Sequence, residues 1–468
     1  MAEDERSLFG GLARQDAPER DPGLARYVEA ERDALVYDRF EFDALIGADH
    51  PARAIWGYVE KADLSALYAR IRARAHTPGR PPPDPRVVLA LWLYACVEGV
   101  GSARQLERLS EAHNGFRWLR GGVPLNYHLL SDFRWQAAEV ADRLLTQGIA
   151  ALWAQELVTL ASLAQDGVRI RASAGAASYR RGERLKALLA KVAERVAALK
   201  REIDADPDAS NRRMRAAQMR AAREQDERIA AALAAIAALE AEQAAKRQAA
   251  KPKPPGDGGG APPDAPTADK PETEKEKKAP RASTTDAQAR VMRMPDGGYR
   301  PAYNGQIVSD LDSGLVLSVD LDTTGSDGGR MAPAVDAVKQ RYGLQPARWL
   351  ADGGYAVLDD IAALAARGIT VFCPPKPRRN PKSDPAAPRP GDPPGVPQWR
   401  RRMVDDAAAG EASWMRRRGE AELIHANFRN RGLQRFNVRG AFKARAVLLF
   451  QALAHNIMTA LRLTAAAA

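Results

Sequence analysis

The β pattern of this chain breaks off near residue 172 and resumes near residue 300, with helical and then strongly polar sequence between. The segment LVTLASLAQDGVRIRAS, which begins at Leu157, runs from a short apolar stretch into alternation. Val168 and Ile170 oppose Arg169 and Arg171 there, and a period of two is the signature of a strand. From 179 to 250 the chain is rich in Ala, Lys, Arg, Glu and Leu. Apolar positions three and four apart, broken once by the Pro-containing DADPDAS, predict a helical hairpin or coiled-coil arm. Residues 251–283 are dominated by Pro, Gly and Lys, which cannot bury a core, and read as a disordered linker. Strands return in NGQIVSD and SGLVLSVDLD, joined by a turn at Asp312, Ser313 and Gly314. A helix near 332–342, a strand in RWLA, a helix at 356–368 and a strand in GITVFCPP follow. After a Pro/Arg/Lys loop at 378–400, residues 411–465 read as two helices with a break around 432–440. Strands, a long helical insertion, then strands alternating with helices describe a mixed α/β domain interrupted by an arm.

Ahead of the first strand the pattern is helical. Residues 1–35 read as a flexible leader and 36–156 as an all-α N-terminal domain. DPRVVLALWLYACVEGV (84–100) has Pro near its start and an apolar middle on all sides, as in a buried helix. SARQLERLSEAHNGFRWLRGG (102–122) offers Ser102 as N-cap and Gly121 as stop. Arg104, Arg108, Arg117, Trp118, Arg120, Tyr127, His128 and Arg134 stand in this region. They fit a helix-turn-helix-like DNA module and equally a helical bundle with ordinary surface arginines.

Composition narrows the partners. Among 468 residues, 70 Lys and Arg against 59 Asp and Glu leave a net charge of +11, which favours a polyanionic partner. Two cysteines, Cys96 and Cys373, make no disulfide framework and no zinc spacing, as expected of a reducing cytoplasm. The charged start MAEDERSLFGGLARQDAPERD has no apolar signal core, and no run approaches 18 uncharged apolar residues. The expected location is cytoplasmic, with no membrane contact.

The chemistry concentrates in acids. RWLADGGYA ends an apolar strand on Asp352 and follows it with Gly353 and Gly354. Asp166, with Gly167 next, sits just before the alternation of the earlier strand. A buried charge is costly unless paired, and Gly is disfavoured unless the backbone needs freedom or close approach. Two carboxylates at strand ends, with an acid from a late helix, suit phosphodiester cleavage by two divalent metals. Mg²⁺ prefers hard oxygen ligands and keeps some of its waters, so two or three carboxylates suffice. Singly, each acid also reads as an ordinary Asp-Gly turn or a solvated helix pair.

As an ordered set these blocks resemble the DDE transposases of bacterial insertion sequences. QDGVRIRAS is similar to the family's first-aspartate strand and RWLADGGYA to its second-aspartate block. RPAYNGQIVSDLDSGLVLSVDLDTTGSDGGRMAPAVD resembles the second and third strands with their helix, and HANFRNRGLQRFNVRGAFKARAVLLFQALAHNIM resembles the third-acid block. LWLYACVEGVGSARQLERLSEAHNGFRWLRGG resembles the N-terminal domain. The resemblance spans about 36 to 462 without the linker. It implies a ribonuclease H-like α/β catalytic domain, in parts at 157–178 and 284–465, split by the insertion at 179–250. It further implies Asp166, Asp352 and Glu422 as catalytic metal ligands for two Mg²⁺ or Mn²⁺ ions.

Glu411 and Glu420 compete for the third position. Many relatives carry Tyr, two residues, Arg, three residues, Glu, six residues, Lys. Laid on Glu422, that pattern puts Arg418 and Arg429 at the cationic positions and Met415 where the family has Tyr. Residues 418, 422, 425 and 429 share one helix face, so Arg418, His425 and Arg429 are expected at DNA beside Glu422. The implied partners are double-stranded DNA, as inverted repeats and target, and another copy of the chain in a homodimer or larger complex. The implied activity is cleavage and strand transfer, with a catalytically inactive, repurposed DNA-binding protein as the alternative. Asp310, Asp320, Asp322 and Asp327 cluster around the strands. Asp327, in the turn-like TTGSDGG loop that could approach the site, reads as structural or turn-capping, and His455 and Cys373 read as core.

Overall fold

Asp84 caps the first long apolar helix, its carboxylate accepting from Arg86 N at 2.8 Å with Pro85 in the first turn. This is the arrangement that satisfies exposed amides while Pro presets the first helical angle. The computed structural model describes residues 41–71, 81–205, 212–249, 279–375, 387–405, 419 and 421–467. The leader at 1–35, most of the linker at 251–283 and the basic residues at 376–386 lie outside the described residues.

Among the described residues, seven α-helices precede the first strand: α1 (Pro51–Lys61), α2 (Ser65–Tyr68), α3 (Pro85–Val97), α4 (Ala103–Ala112), α5 (Asn114–Arg120), α6 (Tyr127–Gln136) and α7 (Ala138–Ala154). The expected 102–122 helix is thus two, broken at His113, whose extended backbone ends α4 and begins α5. Ser102 caps as expected, and Gly121 ends α5 in the left-handed region. Nearly every side chain of α3 is buried, as all-round apolarity demands.

The main sheet joins β1 (Ser162–Arg171), β4 (Arg290–Arg293), β5 (Tyr299–Asp310), β6 (Val316–Asp322), β7 (Arg348–Leu350) and β8 (Thr370–Phe372). β5 pairs antiparallel with β1 on one side and with β4 and β6 on the other. β7 and β8 extend the sheet parallel to β1. A separate two-stranded ribbon pairs β2 (Tyr179–Arg180) with β3 (Ala282–Ser283). The linker expected to run to 283 therefore stops short. Ala282 and Ser283 are buried, and the Ser283 hydroxyl accepts from two backbone amides.

Between the ribbon strands α8 (Gly182–Ala205) and α9 (Arg212–Ala249) form a hairpin. Leu185 and Val192 pack with Ile229 and Ile236, and Leu199 with Met219 and Ala222, so the two helices run antiparallel. The second half of the sheet carries α10 (Met331–Tyr342), α11 (Leu358–Ala366) and α12 (Val396–Asp405). A helix over 421–430 (α13) and the long α14 (Ala441–Ala467) close the chain.

Phe42–Ala468 form one compact unit. One continuous apolar core unites α1, α3 and α7 with Ile170, Tyr303, Ile307 and Val319 of the sheet and with Leu448, Phe450 and Leu453 of α14. The packing runs straight across the expected boundary at 156. α14 is long and apolar enough to cross a membrane by length and composition, yet two thirds of that stretch is buried inside the fold. A second core, around Trp349, Tyr355 and Ile361, lies under β7, α10 and α11.

Candidate functional site

Strand pairing sets the two aspartates side by side. β1 and β7 pair in parallel up to Ala164 and Leu350. Asp166, within β1, and Asp352, just past the end of β7, each follow two residues later. Each carboxylate is anchored locally: Asp166 Oδ1 accepts from Gly167 N at 2.9 Å, and Asp352 Oδ1 from Gly354 N at 2.7 Å. A Cβ on Gly354 would lie 2.8 Å from Asp352 Oδ1, and one on Gly353 would lie 3.2 Å from Pro374 O. The glycines therefore follow Asp352 because the chain must fold back tightly over its own carboxylate.

Tyr355 shows how closely the acids converge. Its side chain is fully buried, and its hydroxyl donates to Gln306 Oε1 at 2.7 Å. Burial first, then the charges of Asp327, Asp166 and Asp352, push its pKa far above the usual tyrosine value. Three carboxylates, from β1, from the loop at 323–330 and from the turn after β7, thus bear on one hydroxyl. Asp327, read from sequence as structural or turn-capping, stands among them. Its Oδ1 accepts from Asn304 Nδ2 at 2.6 Å and Gln306 Nε2 at 2.9 Å, and its Oδ2 lies 3.8 Å from the Arg169 guanidinium. The sequence signal was the pair of polar residues, Asn304 and Gln306, on one face of an otherwise apolar strand.

α13 carries the third expected acid. His425 is buried, and its Nδ1 lies 3.8 Å from Asp166 Oδ2. Glu422 is one helical turn earlier and exposed. His425 thus faces Asp166, on the side of α13 that also carries Phe428 into the core. Arg429 is exposed on the same helix, and Arg418 lies outside the described residues.

The donor set suits a hard divalent cation. Asp166 and Asp352 offer only oxygens, and Gln165 Oε1 and Asn304 Oδ1 are buried there without a hydrogen-bond partner among the described residues. An ion held by one or two carboxylates keeps waters, and such waters would supply the donors those amide oxygens lack. Among the described residues no three His, Cys, Asp or Glu side chains stand close enough to enclose a metal unaided.

The N-terminal arginines divide. Arg108 is exposed on α4, and Arg104 is exposed with its guanidinium 4.7 Å from the Tyr127 ring centre. Arg134, expected at DNA, is buried: it donates to Gly101 O at 3.0 Å and lies 4.2 Å from the Trp92 ring centre. Burial lowers its pKa to about 10. It braces α6 against α3 and is no surface contact.

Comparison with known families gives two matches. The transposase DDE domain matches residues 266–457, and a transposase domain, DUF772, matches 40–136. The first range contains Asp352 and Glu422, whereas Asp166 stands between the two. Neither a curated protein nor a solved structure matches the chain.

Proposed function

The chain belongs to the DDE-type transposases of insertion sequences, and on that premise we propose that it binds the terminal inverted repeats of its element and catalyses metal-dependent DNA cleavage and strand transfer. The observation that carries this reading is the placement of Asp166 and Asp352 on neighbouring parallel strands in the middle of the sheet, both bearing on the Tyr355 hydroxyl. The sheet order supports a ribonuclease H-like catalytic domain: an antiparallel run of β6, β5 and β1, extended by the parallel β7 and β8.

In this mechanism Asp166, Asp352 and Glu422 would hold two Mg²⁺ or Mn²⁺ ions. Bound there, the ions would supply Lewis-acid chemistry toward the attacking water or 3′-hydroxyl and the leaving oxygen. The protein supplies position. β1 and β7 are rigid and fix the two aspartates, while α13 delivers Glu422 from outside the sheet. His425 keeps a cation or a hydrogen-bond donor beside Asp166. Arg429, with Arg418, would hold DNA phosphates against the site. Arg104 and Arg108, on the N-terminal helices at 36–156, would contact DNA beyond it. Since the two inverted repeats must be brought together, the working form is a dimer or larger.

The test is nicking of a supercoiled plasmid that carries the element's inverted ends. The expected result is nicked product with Mg²⁺ or Mn²⁺, none with EDTA, and a shifted inverted-repeat duplex in both. Binding without metal-dependent nicking would favour the second reading, a repurposed DNA-binding protein. The observation on its side is that no three acidic or histidine side chains enclose a metal among the described residues.

A further inference from the structure

We propose that Asp327 is a positioning residue that fixes the direction of the hydrogen-bond chain tying the Asp166 strand to the Asp352 turn. The proposal rests on the reading of Asp166 and Asp352 as metal-holding residues and gives a task to a carboxylate outside the expected triad.

The chain of contacts is continuous. Asp327 Oδ1 accepts from Asn304 Nδ2 and Gln306 Nε2. An ionised carboxylate accepts and cannot donate, so both amides must turn their NH₂ groups toward it. Gln306 then presents Oε1 the opposite way, where it accepts from Tyr355 Oη at 2.7 Å and from Gln165 Nε2 at 3.1 Å. Gln165 directly precedes Asp166, and Tyr355 lies three residues after Asp352. One side-chain amide therefore links both acid-bearing elements, and Asp327 decides which way that amide faces.

Two further features show that the site is built around this carboxylate. Gly167 pairs with Gln306 across the sheet. A Cβ there would lie 2.6 Å from Asp327 Oδ1, 2.9 Å from Gln306 Nε2 and 3.0 Å from Asn304 Oδ1. Only bare backbone lets the loop carboxylate settle onto β1, so the glycine beside Asp166 serves Asp327. Arg169 pins the same loop by donating to Gly325 O at 3.0 Å and lies near Asp327 Oδ2, which offsets the cost of largely burying the charge. With donors at Oδ1 and a guanidinium facing Oδ2, Asp327 acts through Gln306 rather than as a ligand of its own. Asn in its place carries an NH₂ group that competes for Gln306 Oε1, which reverses the amide and loosens Tyr355.

The test uses the full chain as wild type, Asp327→Asn and the milder Asn304→Ala, each with a thermal melt. Hydrogen exchange reads the 352–356 amides without metal. Asp327→Asn should speed their exchange roughly tenfold, as local opening would, and Asn304→Ala by less. Titration calorimetry with Mn²⁺ alone should show a roughly 10- to 100-fold weaker affinity for Asp327→Asn, the scale expected of groups that orient ligands. Unchanged exchange at 352–356 overturns the proposal. So does unchanged Mn²⁺ affinity in a variant whose wild-type parent binds the ion. Wild type that binds no Mn²⁺ and nicks no plasmid overturns the metal-holding reading instead, while the exchange result still decides whether Asp327 holds the turn. Should Asp327→Asn fail to fold, Asn304→Ala decides: faster exchange supports the proposal and unchanged exchange overturns it.

Discussion

The sheet and the α8–α9 hairpin are held together in different ways. In the sheet, contacts join residues far apart in sequence: Gln165 meets Gln306, Tyr303 meets Asp286, and Asn456 meets Val316. In the hairpin the apolar seam is supplied almost wholly by the two helices themselves, and the charged residues, as in Lys186–Glu183 and Arg228–Glu224, face solvent. Polar groups buried in the sheet need partners at fixed places, so its geometry is specified tightly. The seam of the hairpin needs only apolar volume at the right period. Changes of similar chemistry should therefore have unequal effects in the two regions.

The largest effect is expected at the aspartate that follows β7. Asp352→Ala should abolish metal-dependent nicking and strand transfer while inverted-repeat binding in a gel shift survives; retained nicking would remove Asp352 from the chemistry. Next is the shared core. Trp92→Ala removes a fully buried indole whose Nε1 donates to Leu130 O at 2.8 Å and should cost about 3–5 kcal/mol in denaturant unfolding. A cost below ~1 kcal/mol would mean the N-terminal helices are not locked to the sheet.

His455 should make the sheet region sensitive to acid, which the hairpin is not expected to be. Burial first, and the charges of Arg431 and Arg462, hold its pKa near 4 against the usual 6.5, although its Nε2 contact with Gly314 O opposes this. A buried neutral histidine stabilises the fold fully above about pH 6.5. That contribution is lost as pH falls from 6.5 toward 4 and is flat below, at ~1.4 kcal/mol per pH unit. Stability measured against pH should show this slope in wild type and lose most of it in His455→Gln; parallel profiles would refute the assignment. The smallest effects belong to the hairpin. Leu199→Ala should cost about 2 kcal/mol, and Arg228→Ala less than ~0.5 kcal/mol, as for an exposed pair one helical turn apart. A much larger cost for Arg228→Ala would show that the hairpin surface packs against something beyond this chain.

Much of the architecture was legible because periodicity reports local structure. The alternation of Val168 and Ile170 marked β1, and the turn at 312–314 lies where expected, with Gly314 at φ 71°. The break between the last two helices also falls where the sequence put it. What periodicity cannot report is the partner. Arg134 looked like the other cations of its region, and only the Trp92 ring and the Gly101 carbonyl explain its burial. β4 was missed because RVMR is only four residues long, with an arginine at each end, and forms only against β5. Asp327 had the local signature of a turn; its company of Asn304, Gln306 and Tyr355 comes from two other stretches of chain, β5 and the turn after β7. Asp166 and Asp352 were singled out as members of an ordered set of blocks, since an Asp-Gly pair alone reads as a turn, whereas Glu422 rested on spacing within one helix.

The central claim, that acids distant in sequence share one metal centre, is tested most directly by replacing Mg²⁺ with Fe²⁺ and mapping where ascorbate and peroxide cut the polypeptide backbone. The account predicts cuts in the same sample near 166, near 352 and near 422, all suppressed by excess Mg²⁺. Cuts confined to one of these segments, or untouched by Mg²⁺, would contradict it.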